Sequence, residues 1–451
     1  VTAGSVELLV VGGGPAGIAA AVEASTYGLS VMLLDENPAP GGRIWQALET
    51  RGAADPDDVA ALNLIRRFRA SPVDARWNAL VWAIEPDGRV FWSEAGQAHT
   101  TRASRILLAT GTTERPLPIP GWTLPGVMTV GAAQIALKTG GLVPSGRTWL
   151  AGQGPLLLLY AVQALAAGGE FAGILDLSDG FAPIRALGHC SFDALPEIRK
   201  GLAWRRSVAQ SGVPWFSASD LRAEGQGALR QVAFRHRGVW LREAADLLLL
   251  HDGVIPSLQI TRALGCQHAW SEAQRCWYPV ADRWGQTSVP GTLVAGDGAG
   301  VGGAAAAELS GRIAALGAAQ ALGRLDIAGR DAAVAPLRAT RARHLAARPM
   351  LDALFAPRPM RLTDETTVCR CEEISAGEIR QAVRDGCGGM NQLKAYTRSG
   401  MGPCQGRICG PVAIEVLAAA RGVAVASIGP MRTRFPTKPI NLEALATLQL
   451  D

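Results

Sequence analysis

The segment Leu8-Leu9-Val10-Val11 runs straight into Gly12-Gly13-Gly14-Pro15-Ala16-Gly17, and no other feature so narrows what this chain can become. A short apolar run ending in Gly-x-Gly-x-x-Gly reads as a buried parallel strand, a tight turn and the start of a helix. The alanine-rich stretch from Ile18 to Tyr27 supplies that helix, and Val31-Met32-Leu33-Leu34 the next strand. Each glycine has a separate task. Gly12 permits the turn, Gly14 lets backbone approach a pyrophosphate, and Gly17 allows close helix packing. Pro15 and Ala16 open the helix, whose positive end faces the phosphate charge. Asp35 closes the second strand, where a carboxylate can accept hydrogen bonds from ribose hydroxyls, with Glu36 as the fallback.

Further signals favour FAD over NAD in this first site. Gly41-Gly42-Arg43 follows the acid closely, so that Gly42 and Arg43 can wrap the cofactor. Far downstream, Thr292-Leu293-Val294-Ala295 ends in Gly296-Asp297, a carboxylate placed for the ribityl chain of a flavin. A glycine-rich segment then opens a helix near Gly303, whose N-terminal end would stabilise negative charge on a reduced flavin. Thr110-Gly111, after the strand Ile106-Leu107-Leu108, belongs to the same set. Taken alone, Asp297 would more often be an ordinary loop acid.

A chain of 451 residues exceeds one core and predicts several domains. We expect an α/β fold with two Rossmann-type domains, the second inserted in the first, and a small helical C-terminal domain. The boundaries are 1–120 and 251–345 for the FAD domain, 121–250 for the insertion and 346–366 for a linker. A [2Fe-2S] domain then spans 367–425, and a tail 426–451. The insertion has its own turn, Gly152-Gln153-Gly154, but Leu157 stands where a third glycine would. A degenerate domain kept for structure and an NAD(P)H site both remain open readings.

The cysteines carry the second strong signal. Cys369-x-Cys371 and Cys404-x4-Cys409 flank 32 residues, a four-thiolate set suited to a [2Fe-2S] cluster. Zinc is the alternative, although Cys-x-Cys is tight for it. Ser375-x-x-Glu378 is a capping box, and Pro411 suits a first helical position. Cys190, Cys266, Cys276 and Cys387 have no partner at ligand spacing and read as buried apolar residues.

Composition excludes other classes. The net charge is +5, without a basic stripe interleaved with aromatics, which argues against nucleic acid as partner. The basic group Arg338, Arg341, Arg343 and Arg348 reads as a solvated helix face. No run is long enough to span a membrane, no signal peptide is expected, and the cysteine pattern suits a reducing, cytoplasmic location. His251 and His268 read as isolated packed residues.

In their order along Glu7 to Leu316, these elements resemble the two-dinucleotide-domain flavoprotein reductases of the glutathione-reductase and thioredoxin-reductase group. The redox cysteine pair of that group is missing, since no cysteine precedes Cys190. Val368 to Glu373 and Gly402 to Pro411 resemble the bacterioferritin-associated-ferredoxin type of [2Fe-2S] domain. The whole layout is similar to the A (alpha) subunits of opine oxidases, hydrogen cyanide synthase and dye-linked proline or hydroxyproline dehydrogenases. That resemblance implies an electron-transfer component of a hetero-oligomer. An FAD-dependent B (beta) subunit would oxidise an amino-acid or opine C–N bond. FMN at an interface between the chains, and a small third chain, are further implied components. Two other readings stand beside it: a self-sufficient NAD(P)H-dependent flavin reductase, and a structural component that binds adenine nucleotide.

Overall fold

The computed structural model describes residues 4–448. Its first sheet is built around the long strand Gln97–Leu108, against which Gly4–Val11 lies parallel. Val31–Asp35 and Asp74–Trp77 continue the parallel sheet outward. Arg89–Glu94 and Leu80–Ile84 add an antiparallel meander at the other edge. The returning strand Thr292–Val294 pairs with Ile106 to Leu108. Residues nearly two hundred positions apart thereby end side by side. The central strands are apolar on both faces, as Leu8, Leu9, Val10, Leu33, Leu34, Leu107 and Leu108 are all buried, because helices cover one side and the meander the other.

Two helices pack on this sheet with almost no side chain between them. Pro15–Thr26 starts at the glycine turn, and Ala304–Ala321 follows the second one. A Cβ on Gly311 would lie 2.0 Å from the carbonyl oxygen of Ala16, and one on Gly296 would lie 2.7 Å from the Ala16 Cβ. The alanine-rich sequence is thus a demand of backbone approach rather than of helix propensity.

The middle of the chain forms a second, wholly parallel sheet. Its strands run in the order Trp215–Ser217, Gly173–Asp176, Thr148–Gln153, Leu247–Asp252 and Val127–Thr129. An antiparallel meander, Leu221–Glu224, Gln231–His236 and Val239–Ala244, packs beside it. The helix Pro155–Ala166 leaves the Gly152-Gln153-Gly154 turn, and Leu157 is 2% exposed among Leu150, Ile174 and Leu249. The leucine fills the space between helix and sheet with apolar packing.

The C-terminal part holds a short hairpin (Thr367–Cys369 with Ile374–Ser375) and the helices Ala376–Arg384, Met390–Thr397 and Cys409–Arg421. The capping box forms as expected: the Ser375 hydroxyl accepts from the Glu378 N–H, and the Glu378 carboxylate accepts from the Ser375 N–H. Three local expectations are corrected. The last of these helices begins at Cys409, so Pro411 is its third residue rather than its first. Cys190 is exposed rather than buried. The basic stretch is a solvated face only at the exposed Arg343: Arg338 lies 4.3 Å from the Trp284 ring centroid, Arg348 pairs with Asp352, and burial pushes the Arg341 guanidinium down. The stretch 346–366 contains the helix Arg348–Leu354 before it turns irregular.

Candidate functional site

The glycine turn sits at the carboxyl end of the first sheet, where open α/β sheets bind ligands. A Cβ on Gly17 would fall 1.8 Å from the Gly12 carbonyl oxygen, and one on Gly12 would fall 2.4 Å from that of Ala109. Both positions therefore require glycine. Gly42, at φ +55°, lies directly against Gly14, whose Cα a Gly42 Cβ would meet at 2.9 Å. The loop carrying Gly42 and Arg43 is thereby folded over the turn, and the Gly41 N–H donates to the Gly13 carbonyl at 2.8 Å.

Asp35 is buried at the end of its strand. One carboxylate oxygen accepts from the Gly13 N–H, and the other from the Asn37 N–H at 2.6 Å and its side-chain amide at 2.7 Å. Burial raises the Asp35 carboxyl above its ordinary range against the pull of these donors. Glu36 is more exposed and is held by Lys438, with Arg43 at 3.8 Å. Sequence reasoning misses both Asn37 and Lys438. Asn37 is findable as an Asx residue just past the acid, whereas nothing local to Lys438 places it near Glu36.

The second cluster of candidates lies across the same sheet edge. Asp297 is held by one oxygen, which accepts from the Gly302 and Gly303 N–H groups at 2.9 Å each. Burial raises its carboxyl, offset by those two amides. Gly298 packs against Thr110 and Gly111, with its Cβ position 3.3 Å from the Thr110 hydroxyl oxygen and from the Gly111 nitrogen. Thr110 itself donates to the Ser257 carbonyl at 3.1 Å. Through Ala16, which both Gly296 and Gly311 approach, the two glycine turns share one wall. Every residue expected to touch the flavin thus belongs to one contiguous edge. Bare glycine backbone for a pyrophosphate, buried carboxylates for hydroxyl groups and a helix N-terminus at Gly303 are the donor and acceptor set FAD calls for.

The four cysteines come together from four separate local structures. Cys369 ends a strand, Cys371 lies on the following turn, Cys404 is in the loop, and Cys409 opens a helix. Their thiols contact one another in pairs, Cys409 with Cys369 and with Cys404, and Cys371 with Cys404. Contact with the Cys409 thiol, together with the N–H groups of Gly400, Glu372 and Cys371 aimed at Cys369 and those of Ile408 and Gly406 at Cys404, holds both well below the ordinary thiol range. Cys409 is pushed far up in return. Gly402 is obligatory, because a Cβ there would lie 2.2 Å from that of Cys371. Among the described residues no three His, Cys, Asp or Glu side chains are arranged around a single ion. Paired thiols ringed by amide donors are nonetheless the chemistry of a two-iron ligand set, in which each iron takes two cysteines and the amides stabilise anionic sulfur.

The tail ties the two candidate sites together. Gln405 and Arg407, inside the second cysteine pair, donate to the carbonyls of Pro436 (2.7 Å) and Thr437 (3.2 Å). The next residue, Lys438, meets Glu36 at the nucleotide turn.

The pyridine nucleotide-disulphide oxidoreductase family matches residues 6–141, and the sarcosine oxidase A3 domain matches residues 364–448. The chain is 41% identical over 455 residues to the A subunit of opine oxidase from Rhizobium meliloti (strain 1021), covering 98% of both. It is 33% identical to the HcnB subunit of hydrogen cyanide synthase from Pseudomonas aeruginosa, again over 98% of each. Its fold is similar to that of L-proline dehydrogenase from P. horikoshii, with a TM-score of 0.71 over 98% of this chain and 79% of that one, at 18% identity.

Proposed function

The chain belongs to the family of opine oxidase A subunits, and on that premise we propose that it is the electron-transfer subunit of a hetero-oligomeric amino-acid or opine dehydrogenase, carrying FAD and a [2Fe-2S] cluster. As in the relatives, the enzyme is an oxidoreductase acting on a C–N bond. Substrate oxidation belongs to a partner B subunit with its own FAD; FMN at the interface and a small third subunit complete the assembly, in the cytoplasm. The observation that carries this reading is full-length likeness to an oxidase component, in a chain that presents a glycine-turn site and a four-thiol site.

Bound FAD would supply two-electron chemistry, and the cluster one-electron steps. The protein's own part is positional. Gly12, Gly14, Pro15, Ala16 and Gly17 offer bare backbone and a helix end to the pyrophosphate. Asp35 and Glu36 face the ribose side, and Gly42 and Arg43 close over it. Thr110, Gly111, Gly296, Asp297 and Gly303 line the flavin side, with Asp297 held rigid by two amides. Cys369, Cys371, Cys404 and Cys409 hold the irons.

The test is anaerobic purification with co-expressed neighbouring subunits, followed by flavin extraction and iron and sulfide analysis. Two irons and two sulfides per chain, FAD and a co-purifying flavoprotein are expected. Zinc in place of iron, or adenine nucleotide without flavin, would turn the chain into a structural component. Rapid bleaching of the flavin by NADH in the isolated chain would favour a self-sufficient reductase.

A further inference from the structure

Where the C-terminal module meets the rest of the chain there is a partly enclosed cavity of about 40 Å³. Arg262, Trp270, Arg275 and Trp277 line it, as do Arg407 and Pro411 of the C-terminal module. The Nε atoms of Arg262 and Arg275 and the indole nitrogens of Trp270 and Trp277 are buried, and none has a hydrogen-bond partner among the described residues. Four side chains that each carry an unpartnered buried donor thus line one space, whereas buried donors in folded proteins are nearly always paired. Gly410 and Pro411, in the first turn of the 13-residue helix Cys409–Arg421, line the same space and add a positive helix end.

Charge sharpens the argument. Arg275 keeps one ion pair, at 2.9 Å to Glu415. Arg262 makes none among the described residues, and burial pushes its guanidinium down to about 10. Its neighbours do not neutralise it. Burial pushes the Cys276 thiol up to about 11, so it stays protonated. His268 is driven down to about 4, by burial first and then by the charge of Arg262, so it is neutral. Arg262 is half-buried with its Nε enclosed, and a partly desolvated cation without an ion pair favours a counter-ion.

We propose that this cavity binds a small tetrahedral oxyanion, a phosphate or the phosphate-monoester head of a larger molecule, with Arg262 as its counter-charge. The indole N–H groups of Trp270 and Trp277 and the Arg275 Nε complete the donor set. These side chains come from the helix Gln259–Ala263, the strands His268–Ser271 and Cys276–Pro279 and the turn between them, which suits an anion with several acceptor oxygens.

The experiment uses the assembled protein in phosphate-free buffer. Inorganic phosphate is titrated while the melting temperature is followed, for wild type, Arg262→Met and Arg262→Lys. Separately, each protein is denatured and the released phosphorus is examined by phosphorus NMR, which separates monoesters from the diphosphate of FAD. Wild type should show saturable stabilisation by phosphate, or release a phosphate monoester near one per chain in excess of the FMN counted by its visible absorbance. Titration alone assigns the site to the free anion, and a released monoester to a larger ligand. Arg262→Met should bind at least tenfold more weakly while melting no lower than wild type in phosphate-free buffer. Should that variant fail to fold, Arg262→Lys decides: weakened binding supports the site, and unchanged affinity overturns it. Equal responses of wild type and variants, without a monoester beyond FMN, likewise overturn it.

Discussion

The imidazole of His251 lies 2.6 Å from the Glu114 carboxylate, and the other oxygen of that carboxylate accepts from the Gly131 N–H at 2.9 Å. One pair of side chains thus fastens together the strand Thr112–Glu114 at the exit from the first sheet, the helix Val130–Gly140, and the strand Leu247–Asp252 of the second. His251 is not the isolated residue its sequence context implies. Its backbone carbonyl also crowds Gly152, where a Cβ would lie 1.7 Å away. The junction between the two sheets is therefore a built polar contact.

Removing that contact leaves a buried imidazole without its acceptor. Glu114→Ala should destabilise the protein by about 1–3 kcal/mol, while Glu114→Gln, which keeps an acceptor, should cost less. Denaturant unfolding of both variants measures this, and equal stabilities would show that the pair is incidental.

Close backbone approach makes a stronger demand at the paired helices. Gly311→Ala places a methyl group 2.0 Å from the Ala16 carbonyl oxygen, so the helices must separate, at about 1–3 kcal/mol. Because Ala16 belongs to the glycine turn, flavin retention should fall as well. FAD content after gel filtration is the readout, and full retention would show that the turn tolerates the shift.

At the other end of the candidate flavin site, Asp297→Ala removes the acceptor of the Gly302 and Gly303 amides. Weaker flavin retention is expected on dialysis against the wild type. Unchanged FAD content would sink the assignment of that carboxylate.

Cysteine replacement separates the modules. Cys404→Ser should remove most of the cluster's visible absorbance and leave FAD bound, because the thiols and the glycine turns belong to different cores. Loss of flavin in the same variant would contradict that independence.

The chain has only four lysines, which makes amine labelling readable. Burial, and after it the charge of Arg51, pushes Lys138 down to about 8, while Lys200, paired with Asp57, is raised. Near pH 8 an acylating reagent should modify Lys138 well ahead of Lys200, as mass spectrometry of digests would show. The linked stability has a definite sign. An unfolded lysine titrates near ~10.4, so between pH 8 and that value the unfolded chain binds more protons. Lys138 therefore costs stability below pH 8, and the cost fades as the pH rises. Equal labelling of the two lysines would refute the shift.

Local sequence reached far in this protein. The glycine turn, its flanking strands, the capping box at Ser375 and the two cysteine pairs were all legible, because each is a short-range demand of backbone geometry or ligand chemistry. Gly17 must be glycine whatever else the chain does, and Ser375 and Glu378 cap each other within one turn. What stayed hidden was long-range. Lys438 reaches Glu36 across 402 positions, and Arg312 reaches Glu23 across 289. Glu114 finds His251 only once a second sheet has been inserted between them. Arg262 looks like an ordinary surface arginine until the C-terminal module closes over it. Periodicity and spacing fix which groups a segment can offer, since those depend on a few neighbouring dihedral angles. Which groups meet, and which charge is left without an ion pair, depends on the packing of distant cores, and only the tertiary structure decided that.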